Sequence, residues 1–155
     1  MKSRVYKTGA ALALLIVLSG CAAWTSPPGA SLYNRLGGEK AIRTVVSDFI
    51  DTVGGDRRIQ SPKVQARLAE IDIGKLKMHV ANQVCMATGG PCKYEGRNMK
   101  EAHANLGISG EEFGYVVDDL VRTLDKYRVG AREKDELLAL LAPMKSDIVE
   151  VASSQ

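Results

Sequence analysis

The sequence predicts an all-α fold, and three observations carry that prediction. Apolar residues recur at three- and four-residue spacing through successive segments. Glycines, singly or in pairs, or prolines separate those segments, and Ser, Asp or Asn opens several of them as helix caps do. No stretch alternates apolar and polar residues with the two-residue period of a half-buried strand. The 155 residues are 45% hydrophobic and 25% charged, which suits one compact core. Aromatic residues are only 5%, so that core must be built from Leu, Val, Ile and Ala.

The start of the chain stands apart. Lys2, Arg4 and Lys7 precede an apolar or small run from Gly9 to Gly20, too short for a confident membrane span and suited to a signal peptide. The run ends in Leu18-Ser19-Gly20-Cys21, which resembles the bacterial lipobox, whose Cys becomes the lipidated first residue of the mature protein. Residues 1–20 therefore read as a lipoprotein signal peptide, and 21–31, with Pro27 and Pro28, as a lipidated tether. Residues 32–151 then form the folded domain. The expected location is the cell envelope or the periplasmic face of a membrane, with the bilayer held through acylated Cys21. The net charge of +3 equals the three basic residues of the leader, so the mature chain is formally neutral and nucleic acid is not an expected partner.

The helices follow in order. Leu32 to Leu36 makes one turn, stopped by Gly37-Gly38. Glu39 to Val53 carries Ile42, Val45, Val46, Phe49, Ile50 and Val53 on one face. Residues 56–71, with Pro62 and scattered charge, read as loop with a weak helical turn. Asp72 caps a helix whose stripe is Ile73, Leu76, Val80, Val84 and Ala87, with His79 and Gln83 beside it and Gly89-Gly90-Pro91 at its end. Lys93 to Arg97 is loop, and Asn98 caps a short helix carrying Met99, Ala102, His103 and Leu106 up to Gly107. Ser109 and Glu112 have the spacing of a capping box before a helix that runs through Phe113 to Tyr127. After Gly130, a last helix runs from about Glu133 to Val151, with Pro143 bending or kinking it.

Several chemistries find no support. No nucleophile sits beside a base in a recognisable pattern, and no glycine-rich phosphate cradle follows a strand. Two Cys and two His at these separations do not suit zinc. Outside the cytoplasm Cys85 and Cys92 tend to pair, and bridging so small a loop contributes about 2–3 kcal/mol. A redox pair is the alternative, although the spacing is not Cys-x-x-Cys. His79 and His103 are the only histidines, each on or beside the apolar stripe of a separate helix. Spacing alone leaves two readings open: a core histidine bonded to a backbone carbonyl, or an axial ligand to haem iron.

Five runs narrow that choice. SLYNRLGG (31–38), VVSDFI (45–50), ATGGPC (87–92), YEGR (94–97) and MKEAHANLGI (99–108) together resemble the ordered landmarks of the group 1 truncated haemoglobins, and the resemblance spans about residues 31–150. It implies a shortened globin, a two-over-two helical sandwich around haem b and its iron, with His103 as the proximal ligand. It implies a haem slot lined by Phe49, Ile50, Leu76, Val80, Gln83, Val84, Met99, Leu106, Ile108 and Val117. Lys77, Lys93 and Arg97 are the expected partners of the haem propionates. The resemblance places His79 where some members supply a sixth iron ligand. Alternatively His79 faces solvent near a propionate, or donates to a bound ligand.

The departures bear on function. Ile50 stands where the family often has a Tyr that donates to oxygen, Val80 where it often has Gln, and Arg67-Leu68 where it has a Phe pair. A donor-poor pocket weakens oxygen retention. The resemblance implies a protein that binds oxygen or other diatomic ligands (nitric oxide, carbon monoxide) at the envelope. A bis-histidyl resting state suits electron transfer or redox sensing with an unspecified reductase. Nitric oxide dioxygenation or a peroxidase-like reaction has no specific residue behind it. Readings of other classes are a non-haem helical lipoprotein acting as an envelope interaction module, and a thiol redox protein using Cys85 and Cys92.

Overall fold

The computed structural model describes residues 29–59 and 61–151, and all regular structure among them is helical. The expected signal peptide, Cys21 and most of the expected tether lie outside the described residues. The elements are α1 (Leu32–Arg35), α2 (Gly38–Gly55), α3 (Pro62–Glu70), α4 (Ile73–Ala87), α5 (Met99–His103), α6 (Gly110–Lys126), α7 (Ala131–Leu141), a 3-10 turn (Ala142–Met144) and α8 (Lys145–Ile148). No described helix is long and apolar enough to cross a membrane.

Local chemistry sets most boundaries. Asp72, Asn98 and Ser109 cap α4, α5 and α6, accepting from the amides of Lys75 (3.0 Å), Glu101 (2.9 Å) and Glu112 (3.1 Å). Glu112 returns a carboxylate oxygen to the Ser109 amide at 3.1 Å, completing the capping box. Gly37 and Gly38 both take left-handed φ values, 90° and 74°, and so turn the chain from α1 into α2 within two residues.

Two expectations are corrected. Residues 62–70 form a regular helix, not a loop with a weak turn, because Pro62 occupies the first turn, where a missing N–H costs nothing. The final segment is three pieces instead of one bent helix. Pro143 removes a donor, the chain tightens to 3-10 at Ala142–Met144, and α8 ends at Ile148. Val151 then leaves helical geometry for an isolated parallel bridge to Ser109.

Packing places α2 against α4 on one side and α6 on another. Ile42 and Val46 from α2 meet Ala81 and Cys85 from α4 in one buried cluster. Full burial of Ile42 or Val46 stabilises the seam by about 1.5–3 kcal/mol each. Leu32, Leu124 and Leu137 tie α1, α6 and α7 together in a second cluster. The α2–α3 link is fixed by charge: Arg58 pairs with Asp56 (2.8 Å) and with Asp119 (3.3 Å), which is fully buried on α6, and its guanidinium lies 4.5 Å from the Tyr115 ring centre.

Cys85, at the end of α4, is joined to Cys92 as a disulfide with Cα atoms 5.8 Å apart. Within the loop it closes, Gly90 lies so near Tyr33 that a Cβ there would come within 2.6 Å of Cys85 Sγ. Tyr33 in turn donates its amide to the Thr88 carbonyl (2.9 Å), and its hydroxyl oxygen accepts the Glu39 amide (3.0 Å). The starts of α1 and α2 and the end of α4 are thereby locked together.

Candidate functional site

A cavity of about 870 Å³ runs between α2, α4, α5 and α6 and is lined chiefly by aliphatic side chains. That volume lies in the range of cofactor and ligand sites. From α2 it receives Phe49 and Ile50, and from α4 Leu76, Val80, Gln83 and Val84. Met99, Leu106, Ile108 and Val117 close the facing side. Every residue expected from the sequence to line a haem slot therefore borders this one space. Arg67 and Leu68, at the position of the family's Phe pair, border it from α3.

The two histidines also reach the wall. His103 is the last residue of the five-residue α5, and its Nδ1 lies 2.8 Å from the Met99 carbonyl oxygen one turn earlier. A carbonyl can only accept, so Nδ1 carries the hydrogen and, in the neutral ring, Nε2 keeps its lone pair. A metal-binding histidine is oriented in this way. His79 differs: its Nδ1 is buried and has no hydrogen-bond partner among the described residues. The ring meets the edge of Tyr94, centroids 6.2 Å apart and planes at 80°.

Tyr94, to which the sequence assigns no role, also borders the cavity. Its hydroxyl donates to the Arg97 carbonyl at 2.6 Å, and burial pushes its pKa above the usual tyrosine value. The ring folds across Gly96, where a Cβ would stand 2.6 Å from Tyr94 Cζ. The Tyr-x-Gly-Arg spacing thus has a steric basis, and it was the signal that could have found Tyr94. Gln83 turns its Nε2 to Met144 Sδ at 3.5 Å.

The basic residues divide. Arg97 is exposed and borders the cavity. Lys77 does not; it pairs with Asp51 at 2.7 Å. Lys93 is exposed and also lies off the wall. Lys75 and Lys145, which the sequence did not single out, do border the space, and Lys145 sits 5.8 Å over the Phe113 ring. The described residues contain no cluster of three or more His, Cys, Asp or Glu able to hold a bare metal ion. The donor set instead suits a flat apolar group carrying its own metal, with imidazole as the protein ligand.

Comparison with known proteins agrees with this geometry. Residues 31–150 match the family described as bacterial-like globin. A group 1 truncated haemoglobin of Synechocystis is 35% identical over 103 residues, covering 64% of this chain and 79% of the relative. One from Mycolicibacterium paratuberculosis is 30% identical over 119 residues, covering 77% and 84%. Among solved structures, the Fe(III) truncated haemoglobin of Tetrahymena pyriformis superposes with a TM-score of 0.70 at 25% identity, covering 79% of this chain and all of that one. The cyanomet 2/2 haemoglobin of Synechococcus, with covalently attached haem, gives 0.68 at 29% identity, covering 77% and 98%.

Proposed function

Because the chain belongs to the bacterial-like globin family and, within it, to the group 1 truncated haemoglobins, we propose that it binds haem b between α2, α4, α5 and α6, with His103 as the proximal ligand. Diatomic gases, namely oxygen, nitric oxide and carbon monoxide, are the ligands of the opposite side. The observation that carries the assignment is the His103 ring, held by the Met99 carbonyl at the wall of an apolar cavity of matching size. Bound haem supplies an iron centre with reversible ligand and electron chemistry.

The protein's own part is to hold, orient and exclude. Phe49, Leu76 and Val117 keep the space apolar. Arg97, together with Lys75, stands at the wall as the propionate partner. Ile50 and Val80 offer no hydrogen bond to a gas ligand, so oxygen is retained less firmly than in a donor-rich pocket. An absorption spectrum of the purified protein tests the assignment. A Soret band that His103→Ala abolishes supports it; a protein that takes up no haem, or a variant with an unchanged spectrum, refutes it.

A second reading makes His79 the sixth ligand and the protein an electron carrier or redox sensor served by a reductase. The buried Nδ1 with no partner favours a strong interaction made by this ring. A low-spin ferrous spectrum that turns five-coordinate in His79→Ala supports that reading. Attachment to the cell envelope through acylated Cys21 completes the proposal; membrane-bound wild type carrying acyl mass, set against soluble Cys21→Ser, is its test.

A further inference from the structure

The turn that follows His103 is held by the far end of the chain. α5 stops at His103, and the next residues include two left-handed ones, Asn105 (φ 63°) and Gly107 (φ 67°). A helix this short does not hold itself in place. Both left-handed residues donate their amides to one carboxylate: Asn105 to Glu150 Oε1 at 2.6 Å, and Gly107 to Glu150 Oε2 at 2.7 Å. These charge-assisted bonds are of the strong kind, and they hold the Glu150 carboxyl below its usual range. The same segment adds backbone bonds. The amides of Glu150 and Val151 donate to the Ile108 carbonyl at 2.9 and 3.2 Å, and Val151 bridges to Ser109. Between the two clipped amides lies Leu106, buried and on the cavity wall, its carbonyl accepting from Ser61 Oγ at 2.9 Å.

From this geometry we infer that Glu150 is a positioning residue for the proximal histidine: its carboxylate clips the backbone of residues 105 and 107, fixing the end of α5 and so the His103 ring at the wall. The inference rests on the reading of His103 as the iron ligand. The C-terminal segment then sets how firmly the proximal side grips haem, though Glu150 itself does not border the cavity.

The test uses the full-length, haem-loaded protein with Glu150→Ala, which removes both acceptors, and Glu150→Gln, which keeps one. In Glu150→Ala the Asn105 and Gly107 amides exchange faster with solvent. Haem transfer to an excess of a scavenging apoglobin rises about tenfold, the low end of what outer-shell partners of a metal ligand control. Glu150→Gln falls between this variant and wild type. In a His79→Ala background the iron–histidine stretching band shifts when Glu150 is replaced by Ala. Faster exchange with unchanged haem transfer and an unmoved band overturns the inference, since the clip would then only shape the turn. Unchanged exchange overturns it as well. If His103→Ala retains the wild-type Soret band, the ligand reading itself fails and takes this inference with it.

Discussion

Replacing both members of the disulfide, Cys85→Ala with Cys92→Ala, should lower the stability of the domain by about 3 kcal/mol. The crosslink spans seven positions in sequence and closes a loop of about eight residues, for which the chain-entropy relation gives about 2.5 kcal/mol at 25 °C. Cys85 is 1% exposed, so removing its sulfur adds a small packing loss, about 0.5–1 kcal/mol for a defect of methyl size. Urea denaturation followed by circular dichroism measures the change, and the heat-denaturation midpoint should fall by about 10 °C. The slope against urea should rise in the variant, because an uncrosslinked denatured chain exposes more surface. Wild type in strong reductant should lose the entropic share and keep most of the packing share. A loss below about 1 kcal/mol in the variant, or a wild type unmoved by complete reduction, refutes the reasoning.

Two further perturbations test other parts of the scaffold. Gly90→Ala places a Cβ within 2.6 Å of Cys85 Sγ and 2.7 Å of Tyr33 Cε2, so it should destabilise by about 1–3 kcal/mol in the same urea assay; an unchanged midpoint would show that this turn yields freely. The side-chain and backbone hydrogen bonds from Arg58 lower the Asp56 carboxyl from 3.8 to about 2, so its stabilising share is complete above about pH 4 and is lost as pH falls through 2. Asp56→Asn should therefore be less stable than wild type at pH 6 and converge with it near pH 2, whereas parallel stability curves from pH 6 to 2 would exclude this ion pair as the cause.

The α4 and α6 boundaries were legible because their signals are local. Asp72 and the Ser109–Glu112 pair act within one turn of chain, and the structure forms those caps. The apolar stripe of α4 likewise foretold that Leu76, Val80 and Val84 would share one wall. Pro62 was misread because the same residue breaks a helix from inside and starts one from its first turn, and composition alone does not say which. The Lys77 contact was hidden for a different reason. Its partner Asp51 lies 26 positions away on another helix, and no periodicity within α4 reveals it. The Glu150 contacts, 43 and 45 positions from Gly107 and Asn105, were invisible in the same way.

The two histidines of the site are restrained in opposite ways, and that asymmetry organises the proposed chemistry. His103 spends its Nδ1 hydrogen on a carbonyl of its own helix, so the ring has one nitrogen left for a ligand. Its helix is then held by bonds that begin more than forty residues away, at Glu150. On the His79 side, two neighbouring polar groups already have partners: the Tyr94 hydroxyl donates to Arg97, and Gln83 turns to Met144. Ile50 and Val80 contribute only hydrocarbon. His79 is thus the lining residue whose buried nitrogen still lacks a partner among the described residues. The wall also carries the charged donors Arg67, Lys75, Arg97 and Lys145, so under the proposed function His79 is one candidate donor among several, set apart by its unpartnered buried nitrogen. Under the proposed function, discrimination between oxygen and ligands that need no donor depends on where His79 points, and the proximal grip depends on how firmly α5 is held.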